Sequence, residues 1–237
     1  MVIDTRGMPE SEELDDEEED GEPLIGPVQR VPVTRIVITP PRLEAMLLHL
    51  RGVAPYMQAR FTEKAQAQMA EQMMAGSTAK KGRQRKPRDF EADFRDAAHV
   101  SDDGWYGVPA AAFRAAAIDA CRMTGYQMTR AKMSIFVMAD GLDRNEQTPL
   151  VRLLAGEPER NQMAVRNSTG VADIRVRPLW RTWEIDVKVT YDADQFTASD
   201  VVNLFDRAGK QVGIGEGRPF SKKSYGLGFG LFHIVEP

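Results

Sequence analysis

Apolar residues recur along this chain at two spacings, and the spacings predict its elements. Trp183, Ile185, Val187, Val189 and Tyr191 alternate with Glu184, Asp186, Lys188 and Thr190, the period of a strand with one buried face. Val171 to Arg177 alternates less cleanly, with Val171, Ile174 and Val176 mostly on one side and Asp173, Arg175 and Arg177 on the other. A turn around Pro178-Leu179 joins the two runs, so they read as a hairpin. Arg35 to Thr39 reads as a short first strand stopped by Pro40-Pro41, and Met133–Met138, Leu150–Leu154 and Phe229–Val235 as further strands. Helical spacing governs the rest. Leu43, Met46, Leu47 and Leu50 predict a short helix. Ala110 to Met123 predicts a longer one, entered with Pro109 at its first position and ended by Gly125, with Phe113, Ala117, Ala120 and Cys121 as its stripe. Thr197-x-x-Asp200 opens the last helix as a capping box, and Val201, Val202, Leu204, Phe205 and Ala208 form its apolar face.

Without insertions the predicted order is strand, helix, strand, strand pair, helix, strand. That is a βαββαβ layout of the α+β class, ferredoxin-like (RRM-like), with helices on one face of an antiparallel sheet and the other face free. Free sheet faces of this kind place aromatics where bases can stack. Two segments fall outside the layout. Residues 1–26 are dominated by Asp and Glu and have almost nothing to bury, which predicts a disordered acidic arm ahead of a single domain, 27–237. Residues 52–103 read as an inserted helical and basic thumb. It holds an amphipathic piece, Phe61 to Met74, a basic tip, Lys80 to Arg88, and a polar segment, Asp89 to Ala98.

Charge sharpens this division. The whole chain of 237 residues has a net charge of −4, yet residues 1–22 hold eleven acids and one Arg, a net of −10, which leaves +6 for the remainder. An acidic arm on a basic body points toward nucleic acid, the alternative being a solubilising tail. One cysteine, Cys121, rules out an internal disulfide framework and fits a reducing, cytoplasmic setting. The absence of a long apolar run predicts no membrane span, and the acidic start predicts no secretory signal.

The candidate chemistry lies near the C-terminus, where Gly209, Gly213, Gly215, Gly217, Gly226, Gly228 and Gly230 interrupt a loop holding Arg218, Lys222 and Lys223. The loop leads from a helix into a strand and lacks a following Lys-Ser/Thr, which excludes a Walker A loop and a dinucleotide fingerprint. Two readings of the glycines stand: a cradle for a phosphate backbone, centred on Gly213, Gly215, Gly217 and Arg218, or a tight turn and bulged last strand. Further cations are Lys80, Lys81, Arg83, Arg85, Lys86 and Arg88 at the tip, and Arg175, Arg177 and Arg181 beside Trp180. Charge next to an aromatic suits single-strand binding.

Two blocks resemble the RAMP superfamily, the RNA-binding backbone subunits of CRISPR effector complexes. One is Tyr106-Gly107-Val108-Pro109-Ala110-Ala111-Ala112-Phe113-Arg114; the other is the helix, glycine-rich loop and strand from Asp200 to Ile234. The resemblance implies a ferredoxin-like core, an inserted thumb, and phosphate contacts from the glycine-rich loop and from Arg114 at the start of the first helix. This loop is longer than the family's usual one. Val165 to Asp173 is also similar to a stretch of uncharacterised phage and prophage proteins.

Catalytic signals are few. His49, His99 and His233 show no metal-ligand spacing, and Cys121 falls on a core stripe. Asp102-Asp103 with His99 is the one pairing suited to acid–base cleavage of RNA. The expectation is a non-enzymatic protein without cofactor or metal. It would bind single-stranded DNA or RNA largely independently of sequence and assemble side by side along the strand. The rival is a phage structural protein that self-associates through sheet edges and the Met-rich helix Phe61–Met74.

Overall fold

The segment whose leucines and methionine predict a short helix is a strand, β1 (Leu43–Gly52). Its apolar residues satisfy both periods, because Met46, Leu48 and Leu50 also alternate. Pairing decides between them: β1 lies between two strands, bonded along its length to one and at its end to the other. Leu48 and Leu50 point into the core, whereas Leu47, required by the helical reading, is 48% exposed. Tertiary pairing overrides a local pattern that was ambiguous.

The computed structural model describes residues 38–60, 67, 74, 89–166, 172–220 and 226–235. Pro40–Pro237 forms one unit. After β1 come β2 (Tyr56–Met57), α1 (Phe90–Asp96), β3 (Gly107–Pro109), α2 (Ala110–Thr124), α3 (Met128–Ser134), β4 (Ile135–Met138), β5 (Gly141–Leu142), β6 (Pro149–Leu154), β7 (Glu159–Arg166), β8 (Ala172–Trp180), β9 (Glu184–Asp192), α4 (Ala198–Arg207), a π-helical turn (Ala208–Val212) and β10 (Phe232–Val235). The acidic arm and the basic tip lie outside the described residues, as does most of the expected strand Arg35–Thr39, whose Ile38 and Thr39 are not in a strand. Of Phe61–Met74 only Ala67 and Met74 are described, and both are helical.

The architecture is a mixed α/β fold on a curled antiparallel sheet. Along the sheet the order is β10-β1-β9, and β4 and β6 share the far edge of β9, with β3 and β5 extending from β6. A second sheet has the order β2-β8-β7. This overturns the predicted hairpin: β8 pairs with β7 and β2, while β9 joins the main sheet. The reason is the corner between them. Trp180 and Trp183, on either side of it, both turn inward onto Tyr56, with ring centroids 5.7 and 5.5 Å away. The Trp183 indole donates to the Ala54 carbonyl at 2.9 Å, and Gly52 leaves the space it occupies. Burying two tryptophans around one tyrosine outweighs a continuous ribbon.

The helices behave closer to expectation. Phe113, Ala117, Ala120 and Cys121 of α2 are fully buried, and Gly125 caps the helix at φ 71°. Pro109 stands one position earlier than predicted, as the N-cap and the last residue of β3. In α4, Val201, Leu204 and Phe205 are buried but Val202 is exposed. Its capping box forms: Thr197 Oγ1 accepts from the Asp200 N–H at 3.2 Å and Asp200 Oδ2 from the Thr197 N–H at 2.9 Å. Strand β4 starts later than predicted because α3 occupies Met133 and Ser134, and β10 starts at Phe232 because the glycine loop runs on to Leu231.

Opposite the helices, the sheet face carries polar cross-strand pairs. His49 Nδ1 lies 2.7 Å from Asp186 Oδ1 and Arg51 Nε donates to Glu184 at 2.7 Å. The aromatics expected there are mostly elsewhere: Tyr56, Phe113, Trp180, Trp183 and Phe232 are in the core. Phe136, 39% exposed, and Trp105, beside a hollow with Leu47 and Leu154, are the aromatics found on this side. No helix among the described residues is long and apolar enough to cross a membrane.

Candidate functional site

The glycine loop is stitched to the body of the protein on both sides. After the π-helical turn, the Gly213 N–H bonds back to Ala208 and the Ile214 N–H to Gly230, while the Ile214 side chain is buried. The Glu216 N–H donates to the Met57 carbonyl at 2.9 Å, the Gly230 N–H to Pro55 at 2.8 Å, and the Phe229 N–H to Gly217 at 3.2 Å. Gly213, Gly215 and Gly217 have φ of 71°, 77° and 79°. At Gly215 a Cβ would stand 2.5 Å from the Met57 carbonyl oxygen and against the Tyr56 ring. Positive φ and absent space together require glycine there. Internal packing accounts for Gly209, Gly213, Gly215, Gly217 and Gly230 and fixes the loop in place, whereas Gly226 and Gly228 have positive φ with open space around them.

What the fixed loop presents is charge. Glu216 projects to β8, where Arg175 Nη1 donates to its Oε1 at 3.1 Å and Arg177 Nε to its Oε2 at 2.8 Å. The three side chains are 27%, 18% and 19% exposed, in the order Arg175, Arg177, Glu216. Two residues along the same loop, Arg218 donates through Nε to the Phe220 carbonyl and through Nη1 to the Gly215 carbonyl, each at 3.1 Å. Backbone carbonyls orient that guanidinium. Two cations therefore share one carboxylate, held in place and partly withdrawn from water, where a residual charge acts over a longer range than on an open surface.

The other expected contacts are distributed differently. Arg181 Nε bonds both oxygens of Glu159 at 2.9 Å on the surface. Arg114 donates to the carbonyls of Ile135 and Lys132, and its guanidinium lies over the Phe136 ring at 5.6 Å. It binds α2 to the α3–β4 junction rather than reaching the loop. Lys80, Lys81, Arg83, Arg85, Lys86, Arg88, Lys222 and Lys223 lie outside the described residues.

A second polar cluster was not anticipated. At the two ends of the expected insertion, Gln58, Arg60 and His99 are buried together with Asp143 from the turn after β5. Gln58 Nε2 donates to the Tyr56 hydroxyl and the Gly107 carbonyl at 2.9 and 2.6 Å, and its oxygen accepts from the His99 N–H. His99 Nδ1 lies 2.9 Å from Asp143 Oδ2, and Asp143 Oδ1 accepts from the N–H groups of Asn145 and Glu146. Arg60 Nε donates to Glu146 at 3.1 Å, and the Arg60 N–H to the Ala97 carbonyl at 3.0 Å. Burial pushes the Asp143 carboxyl up, but the N–H bonds of Glu146 and Asn145, then His99 and Arg60, outweigh it and hold the group below the usual range. His99 is thus paired with Asp143, not with Asp102 or Asp103, which are exposed. The residues of this cluster lie tens of positions apart with no motif among them; only an unusual Gln-x-Arg between apolar residues, just after β2, marks its first segment.

No protein-family model matches the chain, and no curated protein matches it.

Proposed function

We propose that this chain is a non-enzymatic, single-stranded nucleic-acid-binding protein with a ferredoxin-like core, in which β8 and the glycine loop meet the phosphate backbone. The observation that carries the reading is the surplus of positive charge where Arg175 and Arg177 share the single carboxylate of Glu216. Phosphates supply the missing counter-charge, and guanidiniums held by a carboxylate and by carbonyls lose little freedom on meeting them. The strand order β10-β1-β9-β4, with α2 and α4 on the intervening connections, is the 4-1-3-2 order of a ferredoxin-like sheet and supports that part of the reading. The resemblance to RAMP proteins agrees with it, as does the +6 charge outside residues 1–22. The protein acts in the cytoplasm, alongside other copies on the strand. Binding is sequence-independent because phosphates carry no sequence.

The test is fluorescence anisotropy of labelled oligothymidine and oligouridine at low and moderate salt. Affinity should fall steeply with salt; absent or salt-independent binding rejects the reading. One observation favours the rival assembly role: β7 is an edge strand, paired on one side by β8. Removing residues 1–22 separates the two. Binding tightens when a competing acidic arm is lost, whereas an assembly held by that arm dissociates.

A further inference from the structure

A cavity of about 720 Å³ opens between the C-terminal end of α2, the segment after it, and α4 with its π-helical turn. That volume is in the range of sites for small organic ligands. Its floor is apolar and aromatic: Cys121, Leu204, and the rings of Tyr126 and Phe196, whose centroids are 4.7 Å apart at 44°.

Two further features single it out. The Tyr126 hydroxyl is buried without a hydrogen-bond partner, and among the described residues no other buried side-chain nitrogen or oxygen is left so. An unmet hydroxyl is costly and calls for a reason. In addition, the chain leaves α4 through five residues of π-helix, Ala208–Val212, and two of these, Lys210 and Gln211, reach the rim. Such turns cost helix regularity and concentrate at functional sites.

The rim defines the ligand class. Its carboxylates have partners: Asp200 is held by Thr197, and Asp206 by Lys210 at 2.7 Å. Asn203 offers an amide with one donor side and one acceptor side, the complement of a base edge. Arg207 adds a cation suited to phosphate, and Lys210 a second one that it shares with Asp206. Gln211 stands two residues before Gly213 of the glycine loop.

We propose that this cavity holds one nucleotide, with its base on the Tyr126–Phe196 pair and its phosphate toward Arg207 and Lys210, so that a bound strand inserts one unstacked base per protomer. The inference rests on the nucleic-acid reading above, and the ligand is either a unit of a strand or a free nucleotide. The probes are 2-aminopurine riboside monophosphate, followed by fluorescence quenching, and labelled oligothymidine, followed by anisotropy, both on the full chain. Asn203→Trp fills the mouth from an exposed position and leaves the core intact; Tyr126→Phe removes the hydroxyl alone.

Quenching should be saturable and competed by oligothymidine. It should weaken about tenfold or more in Asn203→Trp, the loss of a stacked base, and about two- to tenfold in Tyr126→Phe, the loss of one hydrogen bond. Oligothymidine binding without quenching, or quenching that ignores both substitutions, overturns the cavity and leaves strand binding standing. Quenching sensitive to Asn203→Trp, with no binding or competition by oligothymidine, upholds the cavity as a free-nucleotide site and rejects the strand. Failure of both probes overturns both.

Discussion

Two of the carboxylates that arginine meets in this molecule, Asp143 and Glu216, do opposite things. Asp143 lies fully buried, with Arg60, the His99 ring and two turn N–H groups turned onto it, so its charge is met inside the cluster. Glu216 is about one-fifth exposed and faces two arginines, so the charge does not close. A dry cluster must balance, because an unpaired charge there costs several kcal/mol. A half-wet cluster tolerates surplus and leaves it for a ligand. The first therefore works as a clamp joining the residues near Arg60 and His99 to the turn at Asp143. The second is the recognition surface.

Breaking the clamp should give the largest effect. Asp143→Ala leaves His99 and the two turn N–H groups without their acceptor and takes one of two carboxylates from the buried Arg60, and stability should fall by about 3–5 kcal/mol in urea denaturation. Strand affinity of the fraction that remains folded should stay within about twofold of the parent, since balanced charge contributes nothing outside. The clamp also has a pH signature. The folded Asp143 carboxyl is held below its ordinary value. Its stabilisation is thus complete above the unfolded value of about 3.9 and is lost as pH falls through the lower folded value. Asp143→Asn should be less stable than the parent at pH 7, and the gap should narrow below about pH 4. A gap that stays constant with pH would show that Asp143 acts through shape alone.

Glu216 should respond in the opposite sense. In Glu216→Gln two half-buried guanidiniums keep a neutral acceptor and lose a charge, at a cost of about 1–3 kcal/mol in stability. Strand binding should tighten by several-fold at low salt, because the surplus rises by one charge beside the phosphates. A substitution that destabilises and yet tightens binding is not expected of a structural pair. Weaker binding in Glu216→Gln would mean that the carboxylate positions Arg175 and Arg177 more than it neutralises them. Arg175→Ala with Arg177→Ala should weaken binding and lower the salt slope by about 1.4, at about 0.7 per phosphate contact to a single strand.

Much of the contrast was hidden in the sequence, for a physical reason that recurs. Local signals read correctly: alanines and the Gly125 cap located α2, and Thr197-x-x-Asp200 located the start of α4. Each such signal closes within a turn or two of helix. Partnerships across the chain left no trace. Arg175 and Arg177 look like a solvated strand edge until Glu216, about forty residues on, is folded against them. His99 meets Asp143 across forty-four residues. β1 was misread because four apolar residues fit a helix while three of its positions fit a strand, and the partners that decide, β9 and β10, come far later. β7, Glu159–Arg166, was missed because its residues are mostly polar and pair at the edge of the small sheet. The glycine density was plain from the start, but not that Gly215 makes room for Met57 and Tyr56.

The smallest effect supplies the control that ties exposure to function. Arg181 and Glu159 make the same kind of pair as Arg177 and Glu216, with a comparable distance of 2.9 Å, but their side chains are 67% and 54% exposed. Water screens both charges, so Arg181→Ala should change stability by less than about 1 kcal/mol. Its effect on binding tests the length of the recognition surface. If phosphates run along β8 past Trp180, the salt slope should drop by about 0.7, as for one contact, even though stability is unmoved. An unchanged slope confines the surface to the loop end of β8. A stability loss as large as that of Glu216→Gln would mean that exposure does not separate these pairs, and the distinction between clamp and recognition surface would then have to rest on charge balance alone.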